Sequence, residues 1–335
     1  MNGIPEGCKA VKFPGDKKMN INQLTDAQIS EYTRVAYYYY KEGSTQEQIA
    51  KRMNMSRQRV NRILSACIEY GIVQITINAN SKSKLLELES GLKEKYGLLD
   101  IRIVDNVNET DIFLDLGNAA GEYLATILRD GDVVGFTRGS TLAAMAAQMP
   151  VVRRKNVTVV QMIGSRNQDP QNTAADEIVH NISNRLGAKA VMLFAPIIVS
   201  DAALKASLQR EPAFQDTYQV IRSCSIAVAG IGSHESIDPH YAFVGVDINK
   251  NIRLKEGQRV AGEVSTHIFD QNGEPVENTS RERIIAVELE DYMNIPVRIG
   301  VAGLPEKAEA IRAAMLGKYV NVLVTDTATA EALLS

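Results

Sequence analysis

The chain has 335 residues, of which 23% are charged and 45% are hydrophobic, and its net charge is −3. These values are typical of a globular protein of two or three domains, and they exclude a disordered, collagen-like or uniformly basic nucleic-acid-binding chain. We expect neither a membrane span nor a secretory signal, because no sufficiently long apolar run is present. The three cysteines are too widely spaced for a disulfide framework or a CxxC metal site, so a cytoplasmic location is expected.

The charge is distributed unevenly along the chain. Residues 1–77 contain 11 Lys and Arg and 7 Asp and Glu, a net charge of +4, which leaves −7 on the remaining residues. A small basic head that precedes a larger acidic body is the pattern expected when one end of a protein binds a polyanion.

The basic head is predicted to form three helices and a β wing. A first helix begins near residue 25, a capping box of Ser44 and Glu47 begins a second, and Ser56 caps a third. Residues 72–77 then alternate with period two, as a strand does. Two short helices joined by a tight turn, with cations at the start of the second, are typical of a winged helix-turn-helix.

The third helix carries the side chains suited to reading DNA. Arginine pairs with guanine, Asn and Gln pair with adenine, and any of the cations can hold a phosphate. An alternative is a solvated basic helix with no partner. Of the four tyrosines at 37–40, we expect two to pack in the core rather than to form a stacking platform. The predicted contacts with double-stranded operator DNA are Ser56, Arg57, Gln58, Arg59, Asn61, Arg62, Lys51 and Arg52.

A connecting helix follows the wing. Its apolar stripe, which comprises Leu85, Leu88, Leu92 and Tyr96, could pack on the body or pair with a second copy of the chain. The predicted segments are a disordered tail at 1–22, a helix-turn-helix domain at 23–80, a linker helix at 81–97 and a body at 98–335. Whether translation starts at Met1 or at Met19 stays open.

The body alternates strands and helices. Apolar β-rich runs separated by helical patterns predict an open, mainly parallel, Rossmann-like α/β sheet with helices on both faces. Ligands on such sheets bind at the carboxyl ends of the strands. The predicted strands are 101–104, 133–136, 157–163, 190–194, 226–229, 297–302 and 320–324, and the predicted helices are 112–128, 141–148, 174–186, 201–210, 305–315 and 327–334.

Several loops that follow these strands have the composition of an anion site. The run Arg138-Gly139-Ser140-Thr141 lies between a strand and a helix, where a glycine permits close approach and free helix N–H groups can hold a phosphate. Arg166 follows the next strand, and its alternative is a surface arginine. Glu263 lies in an apolar stretch and suits a sugar hydroxyl or a salt bridge. Lys307 starts a helix, where a lysine opposes the dipole unless an anion is bound.

The sequence does not favour a dinucleotide site or a metal site. The sequence Gly230-Ile231-Gly232 lacks the third glycine of a dinucleotide fingerprint, so we reject NAD binding. The four histidines show no ligand spacing, and we expect neither a metal nor a cofactor.

The motifs TQEQIAKRMNMSRQRVNRILSACIEYGIVQITI, GFTRGSTL and IPVRIGVAGLPEKAEAIRAAMLGKYVNVLVTDTATAEALL resemble the SorC family of bacterial sugar-responsive transcriptional regulators. The resemblance covers about residues 25–335. It implies a body similar to sugar-phosphate isomerases that acts as a sensor, a phosphorylated sugar or polyol as effector, and tetramers built as dimers of dimers. It assigns Gly139, Ser140 and Thr141 to phosphate and places Gly164, Ser165, Arg166, Glu263 and Lys307 around the effector.

The sequence departs from the family pattern at three of these places. The family usually has an aromatic or small residue at Arg138, an Asp at Glu263 and a glycine at Leu304. We therefore expect a non-enzymatic DNA-binding regulator whose effector is not specified by the sequence. The alternatives are an isomerase or deaminase that uses His234 and Glu235 as acid and base, and an inert body that only oligomerises.

Overall fold

The computed structural model describes residues 24–73, 80–105, 111–165, 174–237 and 247–335. The chain divides into two compact units, residues 1–79 and residues 80–335. In the described ranges, no helix combines the length and the apolar character that crossing a bilayer requires.

The first unit contains three helices around a small core. They are α1 (Asp26–Tyr40), α2 (Gln46–Arg52) and α3 (Arg57–Glu69). Val35 from α1, Ile49 from α2 and Val60 from α3 are fully buried against one another. The helix-turn-helix prediction is confirmed for these helices. The predicted wing strand lies largely in residues 74–79, which are outside the described ranges.

The cap of α2 differs from the prediction. Thr45, not Ser44, precedes the helix: its hydroxyl accepts from Gln48 N at 3.3 Å, and the Gln48 side chain accepts from Thr45 N at 2.8 Å. Ser44 and Glu47 have the same spacing, but the helix begins one residue later. Thr25 and Gln28 form the same reciprocal pair at the start of α1.

The prediction that two of the four tyrosines pack in the core is wrong. Only Tyr38 packs against the core of the first unit, and the Arg52 guanidinium lies 3.8 Å from its ring centroid. Tyr37, Tyr39 and Tyr40 are all exposed. Consecutive residues on a helix point in different directions, so a run of four presents few of its members to one core.

The second unit is built on a seven-stranded sheet of order β1-β12-β11-β5-β2-β3-β4, in which every pairing is parallel. This confirms the predicted α/β class. Its strands are β1 (Asp100–Val104), β2 (Val133–Phe136), β3 (Thr158–Gln161), β4 (Lys189–Val191), β5 (Ile226–Gly230), β11 (Val297–Val301) and β12 (Val322–Asp326). The helices are α4 (Asn80–Tyr96), α5 (Ile112–Ile127), α6 (Ser140–Gln148), α7 (Ala175–Leu186), α8 (Ala202–Arg210), α9 (Pro212–Arg222), α10 (Ile248–Asn251), α11 (Leu289–Met293), α12 (Ala308–Leu316) and α13 (Thr327–Leu334).

Both faces of the sheet are buried. Along β5, Ile226 and Val228 pack with α5, α6 and α7, whereas Ala227 and Ala229 point to the opposite layer, which includes α4, α9, α12 and α13. Because alternate residues of a central strand serve two cores, β2 and β5 are apolar at every position, which is why they appear as unbroken apolar runs in the sequence.

The apolar stripe of the connecting helix α4 packs on the body. Leu92 is fully buried, and Leu85, Leu88 and Tyr96 are partly buried against the same core. The Tyr96 hydroxyl donates to the Leu333 carbonyl at 2.8 Å. The stripe therefore packs on the body of its own chain, and Leu92 is not available for pairing with a second copy.

Two smaller sheets accompany the main sheet. A three-stranded antiparallel sheet has the order β6-β8-β9, and a two-stranded sheet pairs β10 with β7. They comprise β6 (Gly232–Ser233), β7 (Ile252–Arg253), β8 (Val260–Val264), β9 (His267–Asp270) and β10 (Glu277–Asn278). None of the predicted strands includes them. Residues of β6, of β8 and of the turn after β8 form one wall of the cavity described below.

Candidate functional site

A cavity of about 250 Å³ lies at the carboxyl ends of the neighbouring strands β2, β5 and β11. Most of the predicted effector residues line it together, although they come from distant parts of the sequence. The predicted residues that line the cavity are Arg138, Gly139, Ser140, Thr141, Glu263 and Lys307.

The loop from β2 to α6 supplies one wall of this cavity. Gly139 has φ 135°, a backbone conformation that favours glycine, and it precedes α6 with no side chain capping the helix. The first N–H groups of the helix therefore remain to be satisfied by a ligand or by solvent, and the helix dipole favours an anion there. The buried side chain of Thr141 and the exposed side chain of Ser140 add hydroxyls beside them.

Lys307 reaches the cavity from the loop that follows β11. Burial lowers the pKa of its amine, although the nearby Glu306 acts in the opposite direction. The loop is held by a carboxylate that the sequence did not indicate: Asp326 accepts from Leu304 N at 2.8 Å and from the Thr329 hydroxyl at 2.6 Å. Leu304 has φ 82°, which is strained for a leucine. A glycine would adopt this backbone conformation easily, whereas Leu304 is held in it by the hydrogen bond from its N–H to Asp326.

The third wall is the sheet formed by β6, β8 and β9. Glu263 on β8 pairs with Gly232 on β6, and a Cβ atom at Gly232 would come within 3.0 Å of the Glu263 side chain. Gly232 therefore makes room for the carboxylate beside the cavity. The hydroxyl residues Ser236, Ser265 and Thr266 line the same region, and the sequence indicated none of them.

Two predicted residues have other surroundings. Ser165 does not line the cavity: its hydroxyl donates to Asp176 at 2.9 Å and accepts from Gln161 Nε2 at 2.9 Å. Gly164 allows close packing, because a Cβ atom there would lie 2.7 Å from the carbonyl of Pro196. Arg166 lies outside the described residues. Contact of these three residues with an effector stays a prediction.

The alternative acid and base are not in the cavity. His234 and Glu235 are both exposed and do not line it, whereas their neighbour Ser236 does. Backbone hydrogen bonding lowers the pKa of Glu235, so this carboxylate stays ionised at neutral pH. Within the described ranges, no group of three or more His, Cys, Asp or Glu side chains is arranged to hold a metal ion.

The first unit presents the predicted DNA-contacting side chains at the start of α3. Ser56 caps this helix and accepts from Arg59 N at 3.2 Å. Arg57, Gln58 and Arg62 are exposed, and neither arginine forms an ion pair with a described residue. These side chains are therefore available to bases and phosphates.

Other predicted DNA contacts already have intramolecular partners. Both nitrogen–oxygen distances from Arg59 Nη2 to the Glu31 carboxylate are short, 2.9 and 3.1 Å. Arg52 Nη1 lies 2.6 Å from Glu42, and Lys51 lies 3.9 Å from Glu47. Asn61 accepts from the Gln46 side chain at 3.3 Å. The Arg59 pair connects α1 to α3, which gives this arginine a structural role that the sequence did not predict.

Comparison with known proteins assigns both units. The family model "Putative sugar-binding domain" matches residues 81–335, and the model of sigma-70 region 4 matches residues 33–69. The uncharacterized transcriptional regulator YjhU of Escherichia coli is 30% identical over 89% of this chain and 92% of its own length. The deoxyribonucleoside regulator of Bacillus subtilis is 30% identical over 90% of this chain and 96% of its own length.

Solved structures agree with this assignment. The full-length sorbitol operon regulator SorC of Klebsiella pneumoniae matches 92% of this chain and 100% of its own chain, with a TM-score of 0.69 and 26% identity. The family-model match covers most of the chain, and these relatives align with about nine-tenths of it. The chain therefore belongs to the SorC family of sugar-binding transcriptional regulators, whose DNA binding is switched by an effector.

Proposed function

We propose that the effector is a phosphorylated sugar or polyol and that the protein controls a carbohydrate catabolic operon in the cytoplasm. The observation that carries this proposal is the combination of an uncapped helix N-terminus and Lys307 in one cavity. Helix N–H groups and a lysine are the usual ligands of a phosphate. The body has a net charge of −7, so attraction of an anion must come from such local donors.

The proposed orientation separates the two ends of the effector. The phosphate lies at Gly139-Ser140-Thr141 and Lys307, with Arg138 as an additional cation. Glu263 would repel a phosphate, so it binds the sugar end and accepts hydrogen bonds from hydroxyls. Gly164 and Ser165 do not line the cavity, so in this proposal they support the loop that follows β3, and Arg166 is a further proposed contact with the effector.

Calorimetric titration of the purified protein with a phosphorylated sugar and with its unphosphorylated parent tests the phosphate site. Sorbitol 6-phosphate with sorbitol and glucose 6-phosphate with glucose are suitable pairs. We expect measurable binding of the phosphorylated member only. Equal affinity within both pairs would contradict a phosphate site and favour a neutral sugar or polyol.

Matched variants test the orientation. Thr141→Ala should weaken every phosphorylated sugar that binds, because it removes a hydroxyl from the phosphate end. Glu263→Gln should instead change which sugar is preferred, because it removes the strong acceptor at the sugar end. DNA binding in the absence of effector should survive both changes, since the first unit contains all the proposed DNA contacts.

On the DNA side, we propose that Arg57, Gln58, Asn61 and Arg62 read bases, while Ser56, Lys51 and Arg52 contact the phosphate backbone. Arg59, which pairs with Glu31, would mainly hold α3 against α1. A single helix-turn-helix reads too few base pairs to select one genomic site, so the protein should act as a dimer or tetramer. Light scattering with and without DNA checks this, and a monomer under both conditions would contradict it.

A further inference from the structure

The hairpin that joins β8 to β9 has an unusual turn. Val264 pairs with His267, so Ser265 and Thr266 form a two-residue turn. Their φ angles are 51° and 67°. Two-residue turns of this kind prefer Asn and Gly, because other side chains are strained at positive φ. Strained residues that persist in a fold often serve a functional site, which makes this turn a candidate.

The turn is also buried, although most turns lie at the surface. Only 7% of Ser265 and 8% of Thr266 is exposed, and both residues line the cavity. The Thr266 hydroxyl lies 2.6 Å from Arg281 Nη1, which donates to it. One of the two hydroxyls is therefore engaged within the protein.

The Ser265 hydroxyl has a different environment. Its oxygen is inaccessible to solvent and has no hydrogen-bond partner among the described residues. A buried hydroxyl without a partner destabilises the folded state. An alanine would avoid that cost with the same backbone preference, so a serine in the lining of the cavity points to a partner that arrives with the ligand.

We propose that Ser265 is a specificity-determining residue that hydrogen-bonds a hydroxyl at the sugar or polyol end of the effector, beside Glu263. This inference rests on the proposed function. A sugar hydroxyl can donate to the Glu263 carboxylate and accept from the Ser265 hydroxyl, whereas phosphate and carbonyl oxygens only accept. The phosphate groups are assigned to other elements, the start of α6 and Lys307, so Ser265 recognises the carbohydrate and not the anion.

The test compares Ser265→Ala with Thr325→Val in the full-length protein. Thr325 has a buried hydroxyl that also lacks a partner among the described residues, but it does not line the cavity. The probes are sorbitol 6-phosphate, glucose 6-phosphate, fructose 6-phosphate, ribose 5-phosphate and inorganic phosphate, titrated by calorimetry. Ser265→Ala should weaken each sugar phosphate that the wild type binds by roughly three- to tenfold, the contribution of one neutral hydrogen bond. It should leave inorganic phosphate unchanged, and Thr325→Val should change neither.

A thermal melt without ligand separates recognition from a structural role. Ser265→Ala should melt at the same temperature as the wild type or higher, because it removes an unsatisfied group. A lower melting temperature would indicate a structural role and overturn the inference. Unchanged affinity for the sugar phosphates, or a parallel loss for inorganic phosphate, would overturn it while the proposed function stands. If the wild type binds none of the five probes, the proposed function fails and the inference fails with it.

Discussion

Replacement of Lys307 tests the anion site through both affinity and pH. The amine lines the cavity, and burial lowers its pKa in the unliganded protein. A bound phosphate would raise that pKa again, so binding takes up a proton wherever the free amine is neutral. The affinity for a sugar phosphate should therefore be greatest below the lowered pKa and decrease as the pH rises through it.

The expected loss of affinity follows from the burial of the Lys307 amine in the cavity. A charge-assisted hydrogen bond in a partly buried site contributes about 1.5–3 kcal/mol, which corresponds to about 10- to 150-fold in Kd. Lys307→Ala should lose this amount for every phosphorylated ligand. Lys307→Arg should retain most of the affinity and should lose the pH dependence, because a guanidinium stays charged throughout.

Calorimetric titrations with sorbitol 6-phosphate and glucose 6-phosphate between pH 7 and about pH 10.4, the ordinary pKa of lysine, provide the comparison. Without ligand, the folded state gains stability as the pH rises from the lowered pKa of Lys307 to its ordinary pKa, because the unfolded chain binds the proton more tightly. Lys307→Ala should abolish that gain in a urea titration. Unchanged affinity in Lys307→Ala, or the wild-type pH profile in Lys307→Arg, would refute the reasoning.

Three further predictions concern recognition and packing. Arg57→Ala should cost about 1–3 kcal/mol of affinity for a selected operator and relax the sequence preference, which binding to randomised duplexes at fixed salt measures. Arg59→Ala should mainly lower the stability of the first unit, by up to about 1 kcal/mol for an exposed ion pair, which a thermal melt measures. Gly117→Ala should destabilise the second unit by about 1–3 kcal/mol or more, because its Cβ atom would lie 2.5 Å from the Met145 backbone nitrogen; urea unfolding measures this. Leu92→Ala should cost about 2–5 kcal/mol in the same assay, and a loss below 1 kcal/mol would contradict its burial against the body.

The main sheet could be predicted because its central strands are buried on both faces and are therefore rich in apolar residues. The helices between the strands have a clear period. The prediction missed α9, although Phe214, Tyr218 and Ile221 have helical spacing in the sequence. It also missed the β8–β9 hairpin, whose Ser-Thr turn lacks the Asn or Gly that normally marks one.

The part of the site that lies in loops directly after strands could be predicted from the sequence. Arg138-Gly139-Ser140-Thr141 and Lys307 come after β2 and β11, and parallel strands place their carboxyl ends at one edge. Nothing in the local sequence could show that Asp326 holds the strained backbone of Leu304, since the two residues meet only in the folded body. Similarly, the hydrogen bonds of Ser165 to Gln161 and Asp176 depend on tertiary packing.

The strand order has a consequence for synthesis on the ribosome. The first strand of the main sheet, β1, pairs with β12, the last strand of that sheet in chain order. The edge of β1 therefore lacks its sheet partner until all the other strands of the sheet have been translated, and unpaired strand edges are prone to aggregation. The helices of the first unit rest on contacts close in sequence and can form as soon as they emerge. A nascent regulator would thus have its DNA-binding unit folded well before it could respond to an effector.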